Sequence, residues 1–203
     1  FYMQFQIPAC RITKSGGPIL RREKTKDMIL CAMFVALIAA GAFIKIPIPV
    51  IPFTLQYLFT MMAGLLLGPK KGCLAVLIYI LLGLMGLPSF AQGGGIGYLV
   101  QPSFGYLAGF AAGAYVTGFL AEAEKYPGIR RLLAADFAGL GIVYSLGMAW
   151  YWLISRFYLG TPIGLWPLFL YCFLLAVPGD ILLCIAGAYL GKRLIPLVKD
   201  GVI

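Results

Sequence analysis

Apolar runs of helix length recur from residue 28 to residue 190 with only short polar breaks between them, and no other feature narrows the fold as sharply. A hydrocarbon layer about 30 Å thick takes roughly 20 apolar residues of helix to cross. The runs cover residues 28–46, 54–67, 72–87, 106–121, 132–154 and 165–190, the last broken at Pro178-Gly179. Hydrophobic side chains make up 62% of the chain and charged ones 11%, against about half and a quarter in a soluble domain. The pattern predicts an all-α integral membrane protein with six transmembrane helices. Disorder is excluded by the same composition.

The basic residues orient the helices. Lys and Arg number 16 against 7 Asp and Glu, a net charge of +9, which in a soluble chain would suggest nucleic acid. Loops on the cytoplasmic side accumulate Lys and Arg. With the amino terminus inside, six spans place Arg11 through Lys26, Lys70 and Lys71, Lys125 with Arg130 and Arg131, and Lys192, Arg193 and Lys199 on one side. Only Lys45 and Arg156 fall on the other, whereas five spans would move a basic cluster outside. Both termini are therefore expected in the cytoplasm, and no nucleic-acid partner is expected. Residues 1–26 read as a flexible basic leader without signal-peptide features. Residues 27–203 read as the membrane domain, in contact with lipid.

Several chemistries lack their residues. The sequence has no His, the commonest general base and metal ligand. It has no G-x-x-x-x-G-K-[ST] loop for nucleotide phosphates. Cys10, Cys31, Cys73, Cys172 and Cys184 show no C-x-x-C spacing and read as small buried hydrophobes. No metal, cofactor or catalytic residue is expected.

Gly105, Gly109 and Gly113, and Ala32, Ala36 and Ala40, recur every fourth residue, a small-residue face that lets helix backbones approach closely in lipid. Internal packing accounts for either stripe. The alternative for the alanines is an exposed face that docks a membrane partner. Between the third and fourth runs lies a Gly-rich loop from Gly86 to Tyr98, continuing through Gln101 to Gly105. Its glycine spacing does not fit a dinucleotide fingerprint. Irregular backbone at membrane depth persists only where it is buried or lines a cavity, so the loop reads as a lid over an outward-facing pocket. On the same side, Pro47, Pro49 and Pro52 keep the chain extended before Thr54 and Gln56. Asp180 lies within an apolar run with no cation within a turn, and an intramembrane carboxylate marks a functional site by default. Asp136, near Arg130 and Arg131, reads as an interfacial charge.

The order PFTLQ (52–56), LLLGPKKG (65–72), GLPSFAQGGGIGYL (86–99), PSFGYLAGF (102–110) and PGD (178–180) resembles BioY, the biotin-specific substrate-binding subunit of energy-coupling factor (ECF) transporters. The resemblance covers about residues 26–194. It implies a multi-pass protein of the bacterial cell membrane with the fold of an ECF substrate-binding (S) component. It also implies that biotin is captured from outside and that transport is energised by a coupling transmembrane subunit and two ATPase subunits. Ala32 and Ala36 match the family's docking helix. The family pattern P-x-D-x-x-K is met by Pro178 and Asp180, but Leu183 stands at the Lys position, and the sequence contains no Asn.

Biotin carries two ureido N–H donors, a carbonyl, an apolar sulfur face and a carboxylate, so its pocket should be apolar with a few aimed polar groups. Asp180 is expected to accept from the ureido group. Thr54 and Gln56 are expected to meet the carbonyl or the carboxylate, with Gln92 or Gln101 as further amides. Phe90, Tyr98, Phe104 and Tyr106 are expected to enclose ring and chain beneath the loop around Gly94. Two other readings stay open: a related subunit for thiamine or riboflavin, and a membrane-embedded enzyme, although paired-acid catalysis would lack its second deep carboxylate.

Overall fold

The computed structural model describes residues 18–46, 53–160, 164–174 and 176–199. The chain forms α1 (Pro18–Phe43), a two-residue antiparallel pair β1 (Lys45–Ile46) and β2 (Phe53–Thr54), then α2 (Gln56–Leu84). It continues through α3 (Phe104–Glu122), α4 (Ile129–Phe157), the short α5 (Leu165–Phe169), a π-helical turn at Leu170–Leu174 and α6 (Val177–Lys199). Five helices among the described residues, α1, α2, α3, α4 and α6, are long and apolar enough to cross a membrane. The architecture is all-helical apart from the β1–β2 pair.

The second and third apolar runs are both inside α2, which breaks at Gly68, where φ is +81° and ψ 177°. Glycine tolerates this left-handed region and Pro69 removes a donor, so the helix turns there. The two halves then lie side by side: a Cβ on Gly72 would stand 2.8 Å from the Ala63 carbonyl oxygen and from the Gly64 Cα. α3 joins them through Gly118, where a Cβ would meet Gly64 O and Pro69 N at 2.7 Å. Close backbone approach replaces the missing hydrophobic drive between helices in lipid.

α3 packs between α2 and α4, α6 packs on α2 and α4, and α1 packs on α2. The glycine stripe of α3 is internal: Gly109 meets the backbone of Val143, and Gly113 meets Val143 and Gly139. Ala32, Ala36 and Ala40 are exposed.

Several sequence expectations need correction. α1 begins at Pro18, so residues 18–26 of the leader are helical, while residues 1–17 lie outside the described ones. The last apolar run does not break at Pro178-Gly179. The break precedes Val177, and Pro178 occupies the first turn of α6, where its missing N–H costs nothing. Asp136 is not interfacial but 0% exposed. Its face of α4 also carries Leu132, Gly139, Leu140 and Val143, so helical periodicity turns it inward despite nearby Arg130 and Arg131. Both carboxylate oxygens lack a hydrogen-bond partner among the described residues.

Candidate functional site

Two cores fill the bundle, and the larger gathers most of the aromatic side chains that the sequence singled out. Phe90, Tyr98 and Tyr106 are buried in it with Tyr57, Tyr79, Phe110, Tyr144 and Cys184. It draws on α1 through Ile38, and on α2, the Gly-rich loop, α3, α4 and α6.

The loop is held in place by backbone contacts that its glycines permit. Phe90 and Gly93 exchange hydrogen bonds (Phe90 N to Gly93 O, 2.9 Å; Gly93 N to Phe90 O, 3.1 Å), making a two-residue turn with Gln92 exposed at its tip. Gly95 N donates to Gly83 O at 2.8 Å, and Gly93 and Gly95 have φ of +118° and +99°. The Phe90 ring lies on Gly83, where any Cβ would overlap it. It also lies tilted against the Tyr98 ring at 4.5 Å and edge-on to Tyr79 at 5.6 Å. Tyr79 Oη donates to Ser89 O at 3.0 Å. Lys45 Nζ donates to Ala91 O at 2.8 Å, tying β1 to the loop. Burial raises the Tyr98 phenol above its ordinary value, opposed by its hydrogen bond with Ser103, so it remains a neutral hydroxyl.

Beneath the loop lie the polar groups. Asp180, in the first turn of α6, is buried and accepts a 2.5 Å hydrogen bond from Tyr144 Oη of α4. Tyr144 also packs edge-on against Tyr106 at 6.1 Å and Phe173 at 5.1 Å. Gly147 makes room for the Tyr106 ring, which lies 2.6 Å from where a Cβ would be. Gln56 is buried at the start of α2 beside the Tyr79 hydroxyl, and its Nε2 has no hydrogen-bond partner among the described residues. Thr54 is half-buried in β2, paired with Lys45.

The structure therefore gathers Phe90, Tyr98, Tyr106 and Asp180 around one core, with Gln56 at its edge. It leaves others apart. Gln92 points outward, and Gly94 is exposed, its role being the close approach of the loop to Leu87 and Gly83. Gln101 is half-buried, its carbonyl accepting from Trp150 Nε1 at 3.3 Å, whereas Phe104, also half-buried, packs against the same core and on the Trp150 ring at 5.7 Å. Sequence reasoning missed Tyr144 and Tyr79. The available signal was that each places a hydroxyl inside an apolar run, where a buried OH needs a partner.

The BioY family model matches residues 13–200. The chain belongs to the BioY family. A probable biotin transporter BioY of Lysinibacillus sphaericus is 42% identical over 183 residues, covering 90% of this chain and 93% of that protein. The biotin transporter BioY of Thermotoga maritima is 49% identical over 124 residues, 61% of this chain and 72% of that protein. Among solved structures, the S-component for biotin from an ECF-type ABC transporter superposes with a TM-score of 0.72 at 29% identity, covering 85% of this chain and 92% of the other. This member of the BioY family is accordingly a multi-pass membrane protein with the S-component fold.

Proposed function

We propose that this protein is the biotin-capturing S-component of an ECF-type transporter and serves biotin uptake rather than catalysis. The observation that carries this reading is the relation to a probable biotin transporter across 90% of the chain. The site chemistry supports it. Asp180, with one oxygen held by Tyr144, has a second oxygen to offer a ureido N–H as a charge-assisted acceptor. The unpartnered Gln56 Nε2 is a donor for the ligand's carbonyl or carboxylate. Thr54, Gln101 and Phe104 border the same end of the bundle, and Phe90, Tyr98 and Tyr106 supply apolar walls.

Counting the two halves of α2 separately would give six spans, with every basic residue except Lys45 and Arg156, and both termini, on the cytoplasmic side. The loop around Gly94 then faces outside. Binding would close it over the ligand, and inward release would need movement driven by the coupling subunit and two ATPases. Purified protein in detergent is expected to bind labelled biotin and to release it only to excess biotin, not to thiamine or riboflavin. Displacement by either of those vitamins, or no biotin binding, would overturn the reading.

Ala32 and Ala36 are exposed on α1 and propose themselves as the docking face for the coupling subunit. Replacing both by Leu is expected to reduce copurification of that subunit at least about tenfold, the loss of roughly 1.4 kcal/mol, with biotin affinity within twofold of the parent. If binding falls along with assembly, the alanines serve internal packing instead.

A further inference from the structure

α1 and α6 both pack on the first half of α2, and a groove of about 230 Å³ runs between them. Only apolar side chains line it, among them Leu30, Phe34 and Leu37 of α1, Leu58 and Met62 of α2, and Leu194 of α6. One end is closed by a cation. Lys26 Nζ reaches across from α1 to donate to the carbonyl of Val198, itself a lining residue, at 3.1 Å. An ammonium has three donors, so two remain at this mouth. Lys70 and Arg193, both exposed, stand within three residues of the lining residues Leu67 and Leu194. Lys71 is taken up by Asp27 in a 2.5 Å ion pair.

We propose that this groove binds an anionic phospholipid, an acyl chain lying along the apolar walls and the phosphate meeting Lys26, Lys70 and Arg193. An uncharged mouth would accept any lipid, whereas a basic pocket between helices at a membrane surface selects acidic headgroups. The occupant is distinct from the coupling subunit proposed for Ala32 and Ala36. At 3.6 residues per turn those alanines face roughly 100–160° around α1 from Phe34 and Leu37.

The test places a tryptophan reporter in the groove, Leu190→Trp, and a control at a similar depth on α3, Phe119→Trp. Each is reconstituted with brominated phosphatidylglycerol or brominated phosphatidylcholine, and the quenching of the unsubstituted protein, which has three tryptophans, is subtracted. At Leu190→Trp the phosphatidylglycerol is expected to quench at a mole fraction at least about threefold lower than phosphatidylcholine. The control should show no preference. Adding Lys70→Gln and Arg193→Gln to the reporter variant should reduce its preference to that of the control. Equal quenching by the two lipids at Leu190→Trp overturns the proposal in favour of unselective solvation. Absence of quenching by either overturns it in favour of a protein segment filling the groove.

Discussion

Asp180→Asn is expected to lower biotin affinity by about 10- to 100-fold with an unchanged elution profile in detergent. A hydrogen bond to a charged group contributes about 1.5–3 kcal/mol, and each 1.4 kcal/mol is a factor of ten. Asn has nearly the same shape, so the variant removes the charge and one acceptor while leaving the packing of α6 on α4 in place. It also sets an amide N–H where the carboxylate accepts from Tyr144 or from the ligand. Tyr144→Phe is the informative companion. It removes the donor that Asp180 has in this structure. Its expected cost is smaller, about fivefold, because a donor is lost but the acceptor for the ligand remains. Isotope-labelled biotin binding at equilibrium reads both values. Unchanged affinity in Asp180→Asn would remove Asp180 from the site.

Gly118→Val should be among the most damaging single substitutions for the fold. A Cβ at this position would meet Gly64 O and Pro69 N at 2.7 Å and the Gly68 carbonyl carbon at 2.8 Å, all backbone atoms of the turn that divides α2. Flexible side chains could shift; three backbone atoms at a crossing of helices cannot do so separately. Overpacking costs roughly 1–3 kcal/mol where side chains can adjust, so at least about 3 kcal/mol is expected here. At about 2–4 °C per kcal/mol for a chain of this size, the melting temperature in detergent should fall by about 10 °C. Gly141→Val is the control, because a Cβ there meets nothing within 4 Å. Equal melting of the two variants would show that α3 does not approach α2 so closely.

The sequence reveals those parts of this molecule whose cause is local. Apolar length marks α1, α3 and α4, and Gly68-Pro69 marks the turn inside α2 because one residue permits a left-handed backbone and the next lacks a donor. Asp180 stands out as a carboxylate among apolar neighbours. Its partner does not, because Tyr144 is 36 residues away and only the packing of α4 against α6 brings the two together. Asp136 illustrates the opposite failure. Chain proximity to Arg130 and Arg131 suggested an interface, whereas the helical face it shares with Leu132 and Leu140 carries it inside. The place of Gln92 in the loop suggests a ligand amide, but the Phe90–Gly93 turn sets it at an exposed tip.

The turn at Gly68 also fixes the depth at which a ligand is met. At 1.5 Å per residue the first half of α2 lifts Gln56 only about 18 Å from that turn, and Asp180 stands about the same height above Lys192. Hydrocarbon is about 30 Å thick. On the proposed orientation, both polar groups lie roughly 12 Å below the outer surface, at the bottom of a well rather than at a rim. A ligand arriving there has left bulk water behind, so each contact forms at low dielectric and gains strength, while any donor or acceptor left unmatched is penalised. The short helix thereby makes selectivity a matter of matching every polar atom of the guest.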